Sequence, residues 1–249
     1  MRIKKYIPNF LTSINLLLGA VGTYLAIIGR PDFTAICILL AAIFDFFDGF
    51  AARLLNAYSD VGKDLDSFAD LISFGFAPAA VYSSLLHYHI TGLWIGKFWD
   101  LNLCNQLLLL SPFILTIFSA LRLAKFNNDT SQNENFRGLT TTATGMFSVS
   151  YVYITYSSDT LPAILTNPLS ICFLIIVFSF LLVSEIPMFS LKFKNIRWKE
   201  NRHRYILLAV SVIGLIFMGL GALTVIVPFY VFYSVGLNLF GIFPKLPQS

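Results

Sequence analysis

Long apolar stretches separated by short polar ones set the rhythm of this chain. Eight apolar segments stand out, approximately Asn9–Ile28, Phe33–Leu55, Ser67–Leu86, Cys104–Leu123, Thr142–Tyr156, Ser170–Leu182, Tyr205–Gly219 and Leu223–Ile242. A helix needs about 20 predominantly apolar residues to cross a bilayer. The pattern therefore predicts an all-α, polytopic transmembrane bundle of about eight spans. Polar TTTATG and TLPAILTNP interrupt the fifth and sixth segments, and Gly219 and Gly221 predict a turn between the last two. With no internal repeat, we expect one integral-membrane domain over 1–249. Its core covers approximately 1–185, and a C-terminal helical hairpin covers approximately 204–242.

Composition sharpens this picture. Of the 249 residues, 57% are hydrophobic and only 12% charged, with a mean hydropathy of +0.75. Soluble domains carry about 25% charged residues, so a soluble globular protein is excluded. The basic N-terminus is followed by an apolar run that continues to Ile28 without an A-x-A site, which predicts a retained first span and not a cleaved signal. Cys37, Cys104 and Cys172 are scattered and show no C-x-x-C pairing, so neither a disulfide framework nor a metal-thiolate site is expected.

Charge orients the bundle. If the eight segments alternate across the membrane, fifteen of the seventeen Lys and Arg fall on one side and only Arg30 and Lys97 on the other. The first set includes Arg2, Lys4 and Lys5 at the start, six residues of KFKNIRWKENRHR (Lys192 to Arg204), and Lys245 near the end. By the positive-inside rule both termini are cytoplasmic. The basic stretch reads as a topology-setting loop, with anionic lipid headgroups as its other possible partner. No nucleic-acid partner is expected.

Against that apolar background, DFFDGFAARLLNAYSDVGKDLDSFAD is out of place. Asp45 and Asp48 are three apart and Asp66 and Asp70 four apart, so each pair shares a helix face. The turn between them brings the faces together at the cytoplasmic end of a helix hairpin, with Asp60 and Asp64 left in the connecting loop. Each ionised Asp near a helix centre costs about 2.5–3.5 kcal/mol even on lenient insertion scales. A cation offsets that cost, and all-oxygen donors favour Mg²⁺ or Mn²⁺ over softer ions. Four carboxylates can hold two ions, the arrangement that clamps attacking and leaving oxygens in phosphoryl transfer. Gly49 and Ala52 remove side-chain bulk nearby, and Gly62 permits a tight backbone path. A cation or proton carrier also places carboxylates in a membrane, but such carriers gather them from corresponding positions of two repeats. Here all four come from one hairpin.

Written out, the stretch is D-x2-D-G-x2-A-R-x8-G-x3-D-x3-D, and it resembles the signature of the CDP-alcohol phosphotransferases at all eight specified positions. That resemblance implies transfer of a phosphatidyl or related group from a CDP-linked donor to an alcohol, with release of CMP. It implies that Asp45, Asp48, Asp66 and Asp70 hold a divalent metal pair and that Asp70 is the general base. Gly49, Ala52, Arg53 and Gly62 then belong to the CDP-donor pocket. IPNFLTSIN resembles a P-N-x-x-T-x-x-N segment of the serine-using prokaryotic branch and adds Pro8, Asn9, Thr12 and Asn15 to the donor residues. LDSFADLISFGFAPA and LRLAKFN resemble further segments of that branch, although Lys125 stands where it often has Arg and Thr140 replaces a proline in FRGLTTT.

The acceptor implied is L-serine and the donor CDP-diacylglycerol, with glycerol 3-phosphate, an inositol compound or choline as alternative acceptors. Serine carries a carboxylate and an ammonium, so Arg122 or Arg137 can fork onto the carboxylate, and Ser73 or Asn127 can hydrogen-bond within the pocket. The resemblance further implies a homodimer in the cytoplasmic membrane of a prokaryote, with the active site facing the cytoplasm.

Overall fold

A computed structural model of the chain describes residues 6–128, 135–158, 161–189 and 197–240. Its helices are α1 (Tyr6–Ile27), α2 (Pro31–Leu55), α3 (Asp60–Asp70), a π-helical turn (Leu71–Phe76), α4 (Ala77–Thr91), α5 (Leu103–Leu110), α6 (Ile114–Asn128), α7 (Thr141–Ser157), a short α8 (Ala163–Thr166), α9 (Pro168–Val183), α10 (Trp198–Met218) and α11 (Leu223–Leu239). Each expected apolar segment falls on helix, the third on α3 through α4 and the fourth on α5 through α6. Among the described residues, five stretches are long and apolar enough to cross a membrane: Tyr6–Ile27, Pro31–Leu55, Asp60–Thr91, Leu103–Asn128 and Asn201–Leu239. Pro168–Val183 is a shorter apolar helix. Ile242, Arg2, Lys4, Lys5, Lys192, Lys194 and Lys245 lie outside the described residues.

The fifth stretch is two helices. Gly219 at φ +53° breaks it, and α11 packs alongside α10. The Ser150 hydroxyl of α7 donates to Leu220 O at 2.6 Å, which docks the turn onto the bundle. Large apolar side chains on the outer faces, such as Phe173, Phe180, Phe217 and Phe232, are exposed. In a lipid environment that is where they belong.

α4 is buried along most of its length, from Ala77 through Leu86. Around it the core runs through Ile38 of α2, Phe74 of the π turn, Tyr82 and Leu85 of α4, and Phe147 and Phe178 of α7 and α9. The last two rings stack at 4.2 Å. Lipid tails are as apolar as leucine, so helices in a bilayer associate through close packing and hydrogen bonds. The α1–α2 seam shows both. Ala26, Ala35 and Ala41 are fully buried there, and the Thr34 hydroxyl donates to Gly22 O at 3.1 Å.

One short ladder accompanies the all-α bundle. β1 (Asn135–Arg137) pairs antiparallel with β2 (Pro187–Phe189). These segments leave helices at the same end of the bundle, and the ladder satisfies backbone groups that no helix covers. Gly138 then turns the chain at φ +72°, sending its N–H to Ile186 O at 2.9 Å. A Cβ there would lie 2.8 Å from both Leu182 O and Ser184 O. Gly138→Ala is therefore expected to destabilise the fold by about 1–3 kcal/mol, visible as a lowered thermal midpoint in detergent. An unchanged midpoint contradicts the packing described for this corner.

Candidate active site

The α2–α3 corner builds the acidic cluster. α2 ends at Asn56, a non-glycine residue in the left-handed region at φ 47°. Ser59 then caps α3, its hydroxyl accepting the Gly62 N–H at 3.0 Å. This cap corrects two expectations. It starts the helix at Asp60, so Asp60 and Asp64 are helical and exposed instead of lying in a loop, and Gly62 sits in the first turn of α3. A Cβ at 62 would stand 2.9 Å from both Asn9 Oδ1 of α1 and the capping Ser59 Oγ, so the side chains of both would have to shift.

One carboxylate oxygen each from Asp45, Asp48 and Asp66 lies within 4.8 Å of the other two. Asp48 is buried, its Oδ2 has no hydrogen-bond partner, and Thr12 of α1 stands beside it. Asp70 lies one turn further along α3. Its Oδ1 is buried and unpartnered, and its electrostatic neighbours are Asp45, Asp66, Asp48 and Arg122 of α6. Three acids thus form a compact triangle with the fourth beneath it. The donor set is entirely oxygen, which suits a hard divalent cation. A Cβ on Gly49 would meet nothing within 4 Å, so open space adjoins the triangle. The residues fit a metal centre.

Two cavities meet there, the first mixed and carrying most of the charged groups, the second mainly apolar. The first, about 440 Å³, is lined by Pro8, Asn9 and Thr12 of α1, Asp48, Gly49, Ala52 and Arg53 of α2, and Gly62, Lys63 and Asp66 of α3, with Ala57, Tyr58 and Ser59 from the connection. The second, about 710 Å³, has Asp45, Gly49 and Arg53 at its polar end. Its walls are Ala143 and Met146 of α7, Phe189, Leu207 and Ser211 of α10, and Leu223, Ile226, Val227 and Tyr230 of α11. Gly49 and Arg53 border both.

The remaining expected site residues are placed differently. Asn15 is fully buried one turn below Thr12, with both side-chain polar atoms unpartnered, and it lines neither cavity. Arg122 is buried, makes no ion pair among the described residues, and holds its guanidinium 4.9 Å from the Phe126 ring. Asn127 donates to Ser67 Oγ at 2.8 Å and accepts from Lys63 Nζ at 3.1 Å through its carbonyl, tying α6 to α3. Ser73 is fully buried and donates to Asn15 O at 2.9 Å. Arg137 pairs with Glu185 at 2.9 Å. None of Ser73, Arg122, Asn127 and Arg137 lines either cavity, and Asp70 lies beside them without lining them.

Sequence reasoning did not find the lining from α10 and α11. Leu207 and Tyr230 lie more than a hundred residues from the acids, and nothing in their local pattern ties them to the cluster.

Residues 5–217 match the family described as CDP-alcohol phosphatidyltransferase. Three relatives illustrate the similarity. A CDP-diacylglycerol–serine O-phosphatidyltransferase of Bacillus subtilis is 35% identical over 57% of this chain and 72% of its own length. An archaetidylserine synthase of Methanothermobacter thermautotrophicus is 30% identical over 72% of this chain and 68% of its own. A CDP-diacylglycerol–serine O-phosphatidyltransferase of Helicobacter pylori is 30% identical over 92% of this chain and 89% of its own.

The geometry separates the six acids of this corner into two groups. Asp48→Asn and Asp66→Asn should each weaken Mn²⁺ binding by more than about tenfold, since even outer-shell partners of a metal are worth that much. Asp60→Asn and Asp64→Asn should leave it unchanged. Electron paramagnetic resonance titration of the purified protein decides between these patterns, and equal losses in all four variants would mean a diffuse acidic surface.

Proposed function

The chain belongs to the CDP-alcohol phosphatidyltransferase family, and on that footing we propose that it transfers a phosphatidyl group from CDP-diacylglycerol to L-serine, giving phosphatidylserine and CMP. The observation that carries this reading is the position of the acid triangle, at the meeting point of a cavity that carries most of the charged groups and a mainly apolar one. CDP-diacylglycerol has the same two-sided chemistry. Its cytidine diphosphate part suits the smaller cavity, where Arg53 and Lys63 counter phosphate charge. Its acyl chains suit the larger one, walled by α7, α10 and α11.

Asp45, Asp48, Asp66 and Asp70 are the residues that would hold Mg²⁺ or Mn²⁺, as one ion or a pair. A metal bound there would supply positive charge against the diphosphate as CMP leaves. The chain's own residues do the rest. Asp70 takes the proton from the serine hydroxyl as that oxygen bonds to the phosphatidyl phosphorus, and the bond from that phosphorus to the oxygen of CMP breaks. Arg122 meets the serine carboxylate: its buried guanidinium neighbours the Asp70 carboxyl without a close ion pair among the described residues, which leaves its fork of donors for an arriving anion. Asn127 acts at one remove, holding α6 against Ser67 so that Arg122 and Asp70 keep their relative placement. Ser73 and Arg137, whose polar groups are already engaged, are left out of the acceptor set.

The basic residues Arg53, Lys63 and Lys125 at the acid-bearing ends of the helices support a cytoplasmic site and cytoplasmic termini. CMP then leaves into water while the lipid product stays in the membrane. The homodimer rests on family resemblance and is tested by crosslinking in native membranes.

Purified protein with CDP-diacylglycerol, labelled serine and Mn²⁺ should form labelled lipid and CMP in equal amounts, and chelator should abolish both. Consumption of glycerol 3-phosphate with no use of serine would refute the acceptor. Asp70→Asn should lower kcat by about 10²–10⁴-fold, the scale of general-base catalysis, while donor binding survives. Arg122→Gln should raise KM for serine by about tenfold or more, as expected for a lost charged hydrogen bond, with little change in KM for the donor. Equal effects on both substrates would move Arg122 out of the acceptor pocket.

A further inference from the structure

α3 and α4 form one continuous helical rod, but Leu71–Phe76 between them wind as a π-helix, and the Ala77 N–H reaches back five residues to Ile72 O. Such a turn holds one residue more than an α turn, and each α-helical residue advances by about 100°. Asp66 and Asp70 are thus rotated by about 100° from where an unbroken α-helix rooted in α4 would aim them. π-Helices account for well under 1% of residues, so one this long persists only where its surroundings hold it.

The surroundings do so on three sides at three consecutive buried residues. Ser73 meets α1: its hydroxyl donates to Asn15 O at 2.9 Å, and a Cβ on Gly19 would stand 2.7 Å from the Ser73 Cα. Phe74 meets α7, where a Cβ on Gly145 would lie 2.9 Å from the Phe74 Cα. Gly75 meets α6: its own Cβ would lie 2.9 Å from Ser119 Cβ, and its carbonyl accepts from Thr116 Oγ1 at 3.3 Å. Contacts this close leave no room for the turn to rotate.

We infer that the π turn is the register device that aims Asp66 and Asp70 at Asp45 and Asp48, and that Ser73 is the positioning residue that pins it. This rests on reading the acids as the metal centre. Ser73 touches no reacting group; it acts through Asp70, three residues before it, by fixing the helix to α1. α1 also carries Pro8, Asn9 and Thr12 along the smaller cavity, so the same bond sets the acids against the cavity wall.

The test is Mn²⁺ binding to purified full-length protein without substrates, followed by electron paramagnetic resonance, together with thermal unfolding and steady-state kinetics. Ser179→Ala serves as control, since it removes an equally buried hydroxyl on α9. Ser73→Ala should weaken Mn²⁺ binding by about tenfold, the scale for losing a group that orients metal ligands, and lower kcat with KM for serine unchanged. Deleting Ile72, which restores α-helical register, should abolish Mn²⁺ binding. Ser179→Ala, which removes a buried hydroxyl without a hydrogen-bond partner among the described residues, should leave both the thermal midpoint and Mn²⁺ affinity close to wild type. Wild-type Mn²⁺ affinity in Ser73→Ala that elutes as a single species overturns the inference, as does tight binding in the deletion variant. If the wild-type protein binds no Mn²⁺, the metal-centre reading has failed instead.

Discussion

Four carboxylates at one end of a membrane helix hairpin are tolerable only if positive charge can meet them and rigid neighbours hold them off the lipid. Much of the bundle is arranged around that constraint. Arg53 and Lys63 border the triangle on the water side, and Arg122 is brought in from α6 beneath it. Two buried carboxylate oxygens, one on Asp48 and one on Asp70, have no hydrogen-bond partner among the described residues. Unpaired buried oxygens of this kind each cost on the order of 1–3 kcal/mol or more. A divalent cation is the partner that relieves several of them together.

The second organising fact is that the site faces two solvents. A soluble phosphotransferase surrounds its donor with polar groups, whereas here the charged cavity and the mainly apolar one share Gly49 and Arg53 as a common border. The acids stand at this border, which is where the phosphorus of an amphiphilic diphosphate has to lie if its head and tails are each to be accommodated. The wall of the apolar cavity is completed by α11, which lies beyond the stretch matched to the family. The C-terminal hairpin therefore contributes to the site and not only to membrane anchoring.

Precision in such a bundle comes from small residues. Without a hydrophobic difference between lipid and protein, helices hold position by approaching closely enough for backbone to meet backbone. Gly19 against Ser73, Gly145 against Phe74 and Gly75 against Ser119 surround the π turn. The α6–α3 contact through Asn127 and Ser67 adds a polar tie next to Asp66. Together these contacts convert a helix rod into a fixed platform for two acids.

Much of this was written in the linear order of residues. Apolar segment length placed the helices, because a bilayer forces each crossing to satisfy its own backbone. The three- and four-residue spacings of the acids placed them on shared faces, because helical periodicity is a local property. Their misfit with an apolar setting marked them as the site. What the linear order left open depends on contacts between distant residues. The π turn is set by three helices pressing on one segment, so no local propensity announces it. The bond from Ser73 to α1 and the pairing of Arg137 with Glu185 are partnerships that local chemistry does not announce. Tyr230 and Leu207 joined the cavity only when the hairpin folded back. Periodicity and solvent cost are legible along a chain, whereas the direction of a side chain and its partner exist only once the helices have packed.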